Sequence, residues 1–264
     1  MKKLLLSFAL CLIFFASSFG QIQNDLYKKI DYLDVNQPQL DRFLKVADKD
    51  LASGFSSLLK NDDVKGWYLY KVKFPGGEKS NYNFVSITIS SSINSLGNYF
   101  SDSNDPGFVP SSTNKGGAKQ LSKVATLIKS EIWRLENSAF ADTGSTPSRY
   151  MSMDYMKVAP GKNPDYLMLE DEIAKPIHLE RIEQNRMAGW EVYSLILPAG
   201  LNYGYNFATG NHFKELEHFE FGFNEEIIQQ TMGQNSNVPE LFETIYSTRD
   251  LIKVELWELV NHLQ

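Results

Sequence analysis

Cysteine is almost absent: the 264-residue chain has one, Cys11, so neither a disulfide framework nor a thiolate zinc site can be built. Positive charge is also short. Lys and Arg number 26 against 32 Asp and Glu, a formal net charge of −6, the wrong sign for a general nucleic-acid binder. A G-x-S-x-G elbow, a P-loop and a complete G-x-G-x-x-G are all missing, which removes motif support for serine-hydrolase, NTPase and Rossmann chemistry. No His-x-x-x-His, Cys-x-x-Cys or clustered carboxylate spacing offers a metal site. After the first twenty residues no apolar run approaches the roughly 20 residues of a membrane span. What remains is 42% hydrophobic and 22% charged, a globular composition with material for about two domains.

Lys2 and Lys3 precede an apolar run from Leu4 to Ala16, followed by Ser17, Ser18, Phe19 and Gly20. A positive head, a short apolar stretch and a small-residue cleavage site describe a secretory signal peptide over residues 1–20, cut before Gln21. Cys11 lies inside the apolar run without a small residue before it, which argues against lipoprotein processing. The expected compartment is periplasmic or extracellular, with no stable membrane insertion of the mature chain.

The remainder contains itself twice. Gly66–Phe84 (GWYLYKVKFPGGEKSNYNF) and Gly189–Phe207 (GWEVYSLILPAGLNYGYNF) align without a gap at an offset of 123, with eight identities in nineteen. The same offset pairs Asp31-Tyr32 with Asp154-Tyr155 and Val35 with Val158. Downstream, LIKSEIWRLE (Leu127–Glu136) matches LIKVELWELV (Leu251–Val260) at six positions in ten, offset 124. Three matched blocks in one order mean tandem duplication. The boundaries are 24–137 and 148–263, with 138–147 as linker.

Each copy parses as β–α–β–β–α–β. Strands are expected at 31–35, 67–74, 81–89 and 127–135, and at 154–158, 190–197, 203–208 and 251–259. Helices are expected at 39–59 and 164–187, the second kinked at Pro176, and again at His212–Phe223. Pro75-Gly76-Gly77 and Pro198-Ala199-Gly200 precede strands and are turns, not phosphate cradles. This order is the split-βαβ, ferredoxin-like pattern, an α+β fold whose uncovered sheet face needs a partner. Two copies in one chain supply it as an intramolecular pseudo-dimer.

On the strand order, the "GW…Y…P.G" strand, the "YNF" strand and the Trp-bearing last strand, the chain resembles a fused tandem member of the dimeric α/β-barrel superfamily, nearest its NIPSNAP and EthD-like branches. The resemblance implies two sheets facing each other across a lumen that often holds a ligand. Members include cofactor-free monooxygenases, haem binders and isomerases, so the fold does not choose a chemistry. A vicinal-oxygen-chelate arrangement would need metal-ligating histidines in both copies, and the first copy has none.

Alternation places Lys129, Glu131 and Trp133 on one face and, in the second copy, Lys253, Glu255 and Trp257. Ile128, Ile132, Ile252, Val254 and Leu256 then face helices. On the second strands, Tyr70, Val72, Phe74, Tyr193, Leu195 and Leu197 read as the helix side. Trp67, Leu69, Lys71, Trp190, Val192 and Ser194 read as the lumen side. The expectation is a wet, Trp-lined cavity for a small apolar or aromatic ligand, touched by Trp67, Trp133, Trp190, Trp257, Lys129 and Lys253. Glu131 or Glu255, desolvated against tryptophan, is a candidate acid or base. The competing reading makes Lys-x-Glu-x-Trp an ion-paired seal between the half-sheets. Asp31-Tyr32 and Asp154-Tyr155 read as strand-start packing devices.

All four histidines, His178, His212, His218 and His262, lie in the second copy. His178, with Arg181 three residues on, is a candidate base or haem ligand. His212 and His218, six apart on one expected helix, would point to opposite sides. No cofactor is implied by spacing, and haem, for which one histidine suffices, stays open. Whether the barrel catalyses anything or only binds is undecided at this level. The export reading has a direct check: N-terminal sequencing of the mature protein should begin at Gln21, and recovery of Met1 or Lys2 overturns it.

Overall fold

A computed structural model describes residues 26–60, 64–76, 81–99, 107–141, 147–234 and 236–264. The signal segment, Cys11, Gly77 and residues 142–146 of the linker lie outside the described residues. Among the described residues no helix is long and apolar enough to cross a membrane.

The first copy contributes β1 (Tyr27–Val35), β2 (Val64–Phe74), β3 (Phe84–Ser90) and β4 (Ala125–Phe140). The second contributes β5 (Tyr150–Val158), β6 (Gly189–Leu197), β7 (Phe207–Phe213) and β8 (Arg249–Leu263). Hydrogen bonding runs β1-β3-β2-β8-β5-β7-β6-β4 and closes. Each copy is thus a four-stranded ferredoxin-like sheet, and the two sheets join along both edges into one antiparallel barrel. The seams come from the ends of the longest strands. Ile132–Phe140 of β4 runs beside β6, and Leu256–Leu263 of β8 runs beside β2. Ser138–Phe140, expected to begin the linker, is therefore strand. Unpaired edge groups invite foreign pairing, and closure removes every edge.

The first helical region of each copy has one plan: α1 (Leu40–Val46), a π turn (Ala47–Leu51) and α2 (Ala52–Leu59), then α5 (Asn163–Leu169), a π turn (Glu170–Ala174) and α6 (Lys175–Glu183) once α3 (Ile93–Asn98) and α4 (Lys115–Val124) have intervened. Pro176 sits in the first turn of α6, where its missing N–H costs little, so the bend expected there is a π turn just upstream. The second helical region differs from expectation. His212 and Phe213 belong to β7, Leu216–Glu220 is a 3-10 turn, and the helices are α7 (Glu225–Met232) and α8 (Val238–Thr248). The Phe213, Leu216, Phe219, Phe223 spacing was ambiguous because strand β7 is buried on both faces and shows no polar alternation.

The repeated "YNF" motif acquires three separate causes. Asn83 clamps Val35, accepting from its N–H at 2.9 Å and donating to its carbonyl at 2.7 Å; Asn206 does the same to Val158 at 2.8 and 2.9 Å. Phe84 and Phe207 pack under the helices, against Phe43 and Tyr166 at 4.9 and 4.7 Å. Tyr82 and Tyr205 turn into the barrel.

Two kinds of core result. On the helix side of the first copy, Phe43, Phe55, Leu58, Trp67, Phe84, Phe108 and Leu121 are all buried in one cluster. The barrel interior is the other, holding Ile30, Tyr32, Tyr70, Tyr82, Trp133 and their second-copy counterparts Met153, Tyr155, Tyr193, Tyr205 and Trp257. Trp133 and Trp257 are both 0% exposed. Replacing either with alanine should cost about 3–5 kcal/mol, the loss typical of a buried large aromatic; denaturant melts check this, and losses below about 1 kcal/mol would mean that the interior is not packed around them.

Candidate functional site

The Lys-x-Glu-x-Trp strands meet at the middle of the barrel with near twofold symmetry. Trp133 Nε1 donates to Glu131 and Trp257 Nε1 to Glu255, each at 3.1 Å. Lys129 and Lys253 bridge to the same glutamates at 2.7 and 2.8 Å. The remaining acceptor capacity is met from the opposite copy: Tyr205 donates to Glu131 at 2.6 Å, and Tyr82 donates to Glu255. On the axis, the Tyr32 and Tyr155 hydroxyls share a hydrogen bond of 2.8 Å, and Tyr32 also donates to Glu131 at 2.7 Å. Tyr32 and Tyr155 lie inside β1 and β5, not at their starts. Burial pushes the Glu131 carboxyl up, but Lys129 and the Tyr203 and Tyr205 hydroxyls outweigh it and hold it below the usual carboxylate range. It stays ionised, contrary to the raised value expected of a carboxyl against tryptophan.

The second strands face the other way from the sequence reading. Tyr70 and Tyr193 are inside the barrel, whereas Trp67 and Trp190 lie under the helices. Trp67 stacks on Phe55 at 4.9 Å and donates to Ser86 at 2.9 Å; Trp190 stacks on His178 at 5.4 Å. Of the residues expected on the helix side, Ile128 packs with the interior and Ile252 is 46% exposed. Polarity cannot assign a face when both faces are buried, and a bulge beside Leu127 shifts β4 against β1.

A second interior cluster is asymmetric. Lys28 bridges to Glu191 at 2.8 Å, and His212 Nε2 meets the same carboxylate at 2.8 Å. Burial raises Glu191, yet Lys28 and His212 together hold it far below the normal range. His262 stacks on Tyr68 at 6.3 Å, and His218 sits in the 3-10 turn, so no two histidines share a site.

A cavity lies on the helix side of the second copy, lined by residues of α5, the π turn, α6, the 3-10 turn and α8 over strands β5, β7 and β8. Its volume is about 560 Å³, and its wall mixes Met156, Ile173, Phe213, Phe223, Phe242 and Ile245 with Asp154, Glu170, His178, Arg181, Asn211 and Arg249. Strand register and the repeat offset give the first-copy equivalents. Glu170 stands where the first copy has Ala47, His178 for Phe55, Arg181 for Leu58, and Asn211 for Thr88. Arg249 stands for Ala125, since they pair with the equivalent Val158 and Val35. Asp154 matches Asp31, but its environment has been opened. Lys29 bridges to Asp31; Ser152 occupies the lysine's place and donates to Asp154 at 3.0 Å, with Asn211 at 3.1 Å.

These groups titrate abnormally for stated reasons. Burial pushes Asp154 up to about 6 despite Ser152, Arg249, Asn211 and Arg181. Burial pushes Glu170 up to about 7, against the pull of Tyr166 and Arg249. Burial, then the Arg181 charge, keeps His178 neutral well below its ordinary range. Arg181 Nη1 lies 3.2 Å from His178 Nδ1. Arginine only donates, so Nδ1 is the acceptor and the imidazole proton is on Nε2.

No family profile matches the sequence, and no curated protein matches it. Solved structures do match in fold. A candidate monooxygenase from Fusobacterium nucleatum superposes with a TM-score of 0.55 at 8% identity, covering 90% of this chain and 93% of the other. An anthrone oxidase-like protein gives 0.52 at 9% identity, with 92% and 94% covered. A heme-binding protein from Thermus thermophilus gives 0.50 at 8%, with 89% and 90% covered. The chain has the fold of the dimeric α/β-barrel proteins, both ferredoxin-like halves within one polypeptide.

A haem group in this fold would need an axial ligand, and His178 does not fit. One ring nitrogen accepts from arginine and the other carries the proton, so neither lone pair is free for iron. Among the described residues no group of three His, Cys, Asp or Glu could hold a metal ion. Sequence reasoning missed Asp154, Glu170 and Arg249 as one site. The available signal was the polar residue in one copy set against alanine in the other at Glu170 and Arg249.

Because the folded values of Asp154 and Glu170 lie above their ordinary ones, the folded state binds more protons than the unfolded state between about pH 4 and 7. Stability therefore falls as pH rises through that window. At 1.36 kcal/mol per unit, Asp154→Asn and Glu170→Gln should each recover up to about 3 kcal/mol at pH 8 and almost none at pH 4. Denaturant melts at both values check the sign; equal effects at both would show that burial does not raise these groups.

Proposed function

We propose that this chain is an exported small-molecule-binding α/β barrel, NIPSNAP- or EthD-like in its motifs, whose ligand occupies the helix-side cavity of the second copy. One observation carries the reading: two copies of one unit share a backbone plan, yet where the first packs large apolar side chains the second lines a cavity with polar groups. A cavity of about 560 Å³, apolar with a few convergent polar side chains, has the size and make-up of a small-molecule site. Export rests on residues 1–20. Trp133, Trp257, Lys129 and Lys253 then serve the barrel's closure, and Trp190 backs His178 at the cavity wall.

A second reading, cofactor-free acid–base catalysis in the same cavity, is favoured by Asp154 and Glu170. Two carboxyls poised near neutrality beside an apolar wall suit proton abstraction from a phenol or an activated carbon. Binding is the reading tested first. The neutral fluorophore N-phenyl-1-naphthylamine should bind saturably, one per chain. Ile173→Trp, which fills the cavity from a half-buried wall position, should weaken it about tenfold, a change of ~1.4 kcal/mol, while Trp133→Phe leaves it unchanged. Undiminished binding to a folded Ile173→Trp variant overturns the assignment.

A further inference from the structure

Resting on that cavity reading, we propose that its ligand is an amphipathic carboxylate: an apolar ring or chain ending in one carboxylate group, held by Arg181 and Arg249. Both arginines belong to the second copy alone, where the first has Leu58 and Ala125. Arg181 is only 4% exposed and lines the cavity. Its Nη1 is used on His178, and its Nε, like that of Arg249, is buried with no hydrogen-bond partner. Neither guanidinium forms an ion pair with a carboxylate of the described residues. Buried guanidinium donors are rarely left unmet, and one planar acceptor suits them, because a carboxylate matches the guanidinium fork in geometry and charge.

Both arginines line the same cavity. Both act on Asp154, and Arg249 also acts on Glu170. Burial pushes Glu170 up to about 7, so it is partly protonated near neutrality, which leaves cationic charge for a ligand to meet. The first copy shows the closed alternative, in which Lys29 neutralises Asp31 directly. A dianionic phosphate would sit beside two acidic groups with charge left over, so a single carboxylate fits better. The remainder of the ligand is apolar because the rim and much of the wall are: Phe219, Tyr246 and Leu251 line the cavity and are 42%, 68% and 50% exposed.

The experiment uses 2-naphthoate and 2-naphthylmethanol, one ring system with and without the charge, each displacing N-phenyl-1-naphthylamine from the full mature chain. The naphthoate should displace about tenfold more tightly than the alcohol. In Arg249→Gln, and in Arg181→Gln where it folds, that preference should shrink to about twofold while the alcohol's affinity holds. Equal displacement by both probes in the parent protein, or a preference that survives in the arginine variants, overturns the carboxylate and leaves the cavity reading standing. Absence of any fluorophore binding overturns both.

Discussion

Two glutamate charges are buried at the centre of the barrel, and a buried charge has to be paired and hydrogen-bonded or it destabilises the fold by several kcal/mol. Glu131 and Glu255 each receive lysine and tryptophan from their own strand and tyrosine from the opposite copy. Each glutamate therefore draws part of its hydrogen bonding from the other half. The Tyr32–Tyr155 hydrogen bond closes the arrangement on the axis, and the long ends of β4 and β8 close it at the seams. Duplication within one chain makes that mutual dependence permanent, because the partner cannot dissociate.

With the lumen occupied by its own side chains, the helix-side cores are where the copies are free to differ. The first is filled by large apolar groups, Phe55 stacked on Trp67 among them. The second has exchanged such packing for His178, Arg181, Glu170 and Arg249 around open space. Removing buried apolar atoms and desolvating ionisable groups both cost stability. A duplicated barrel sustains this because its interior and its first helix-side core are unaffected. Strain of that kind is expected at functional sites rather than structural ones.

The copies have the same π turn in the first helical region. It carries Ala47 in one copy and Glu170 in the other, both buried against the sheet. The chemical difference between the halves is one of side chains on a common backbone. That is why fold comparison finds many neighbours of this chain and still leaves its activity to the cavity's own residues.

The order of strands, the duplication and the ferredoxin-like unit were legible in the sequence, because turns, strand lengths and repeated motifs are local properties. The Lys-x-Glu-x-Trp repeat also stood out in the sequence, and the fold brings its two copies together inside the barrel. The orientation of Trp67 and Trp190 was not legible: alternation reveals that two faces exist, but only contrast with solvent says which is which, and here both are buried. The extent of β7 was lost for the same reason. The site was out of reach because Asp154, Glu170, Arg181 and Arg249 come from β5, a π turn, α6 and β8. Their sequence separations carry no signature, and the quantities that define the site, desolvation and unmet donors, exist only once those elements pack. The sequence by itself determined a duplicated α/β barrel; the tertiary structure alone decided that its centre is filled and its cavity lies on the far side of the sheet, since burial and pairing are properties of the closed fold.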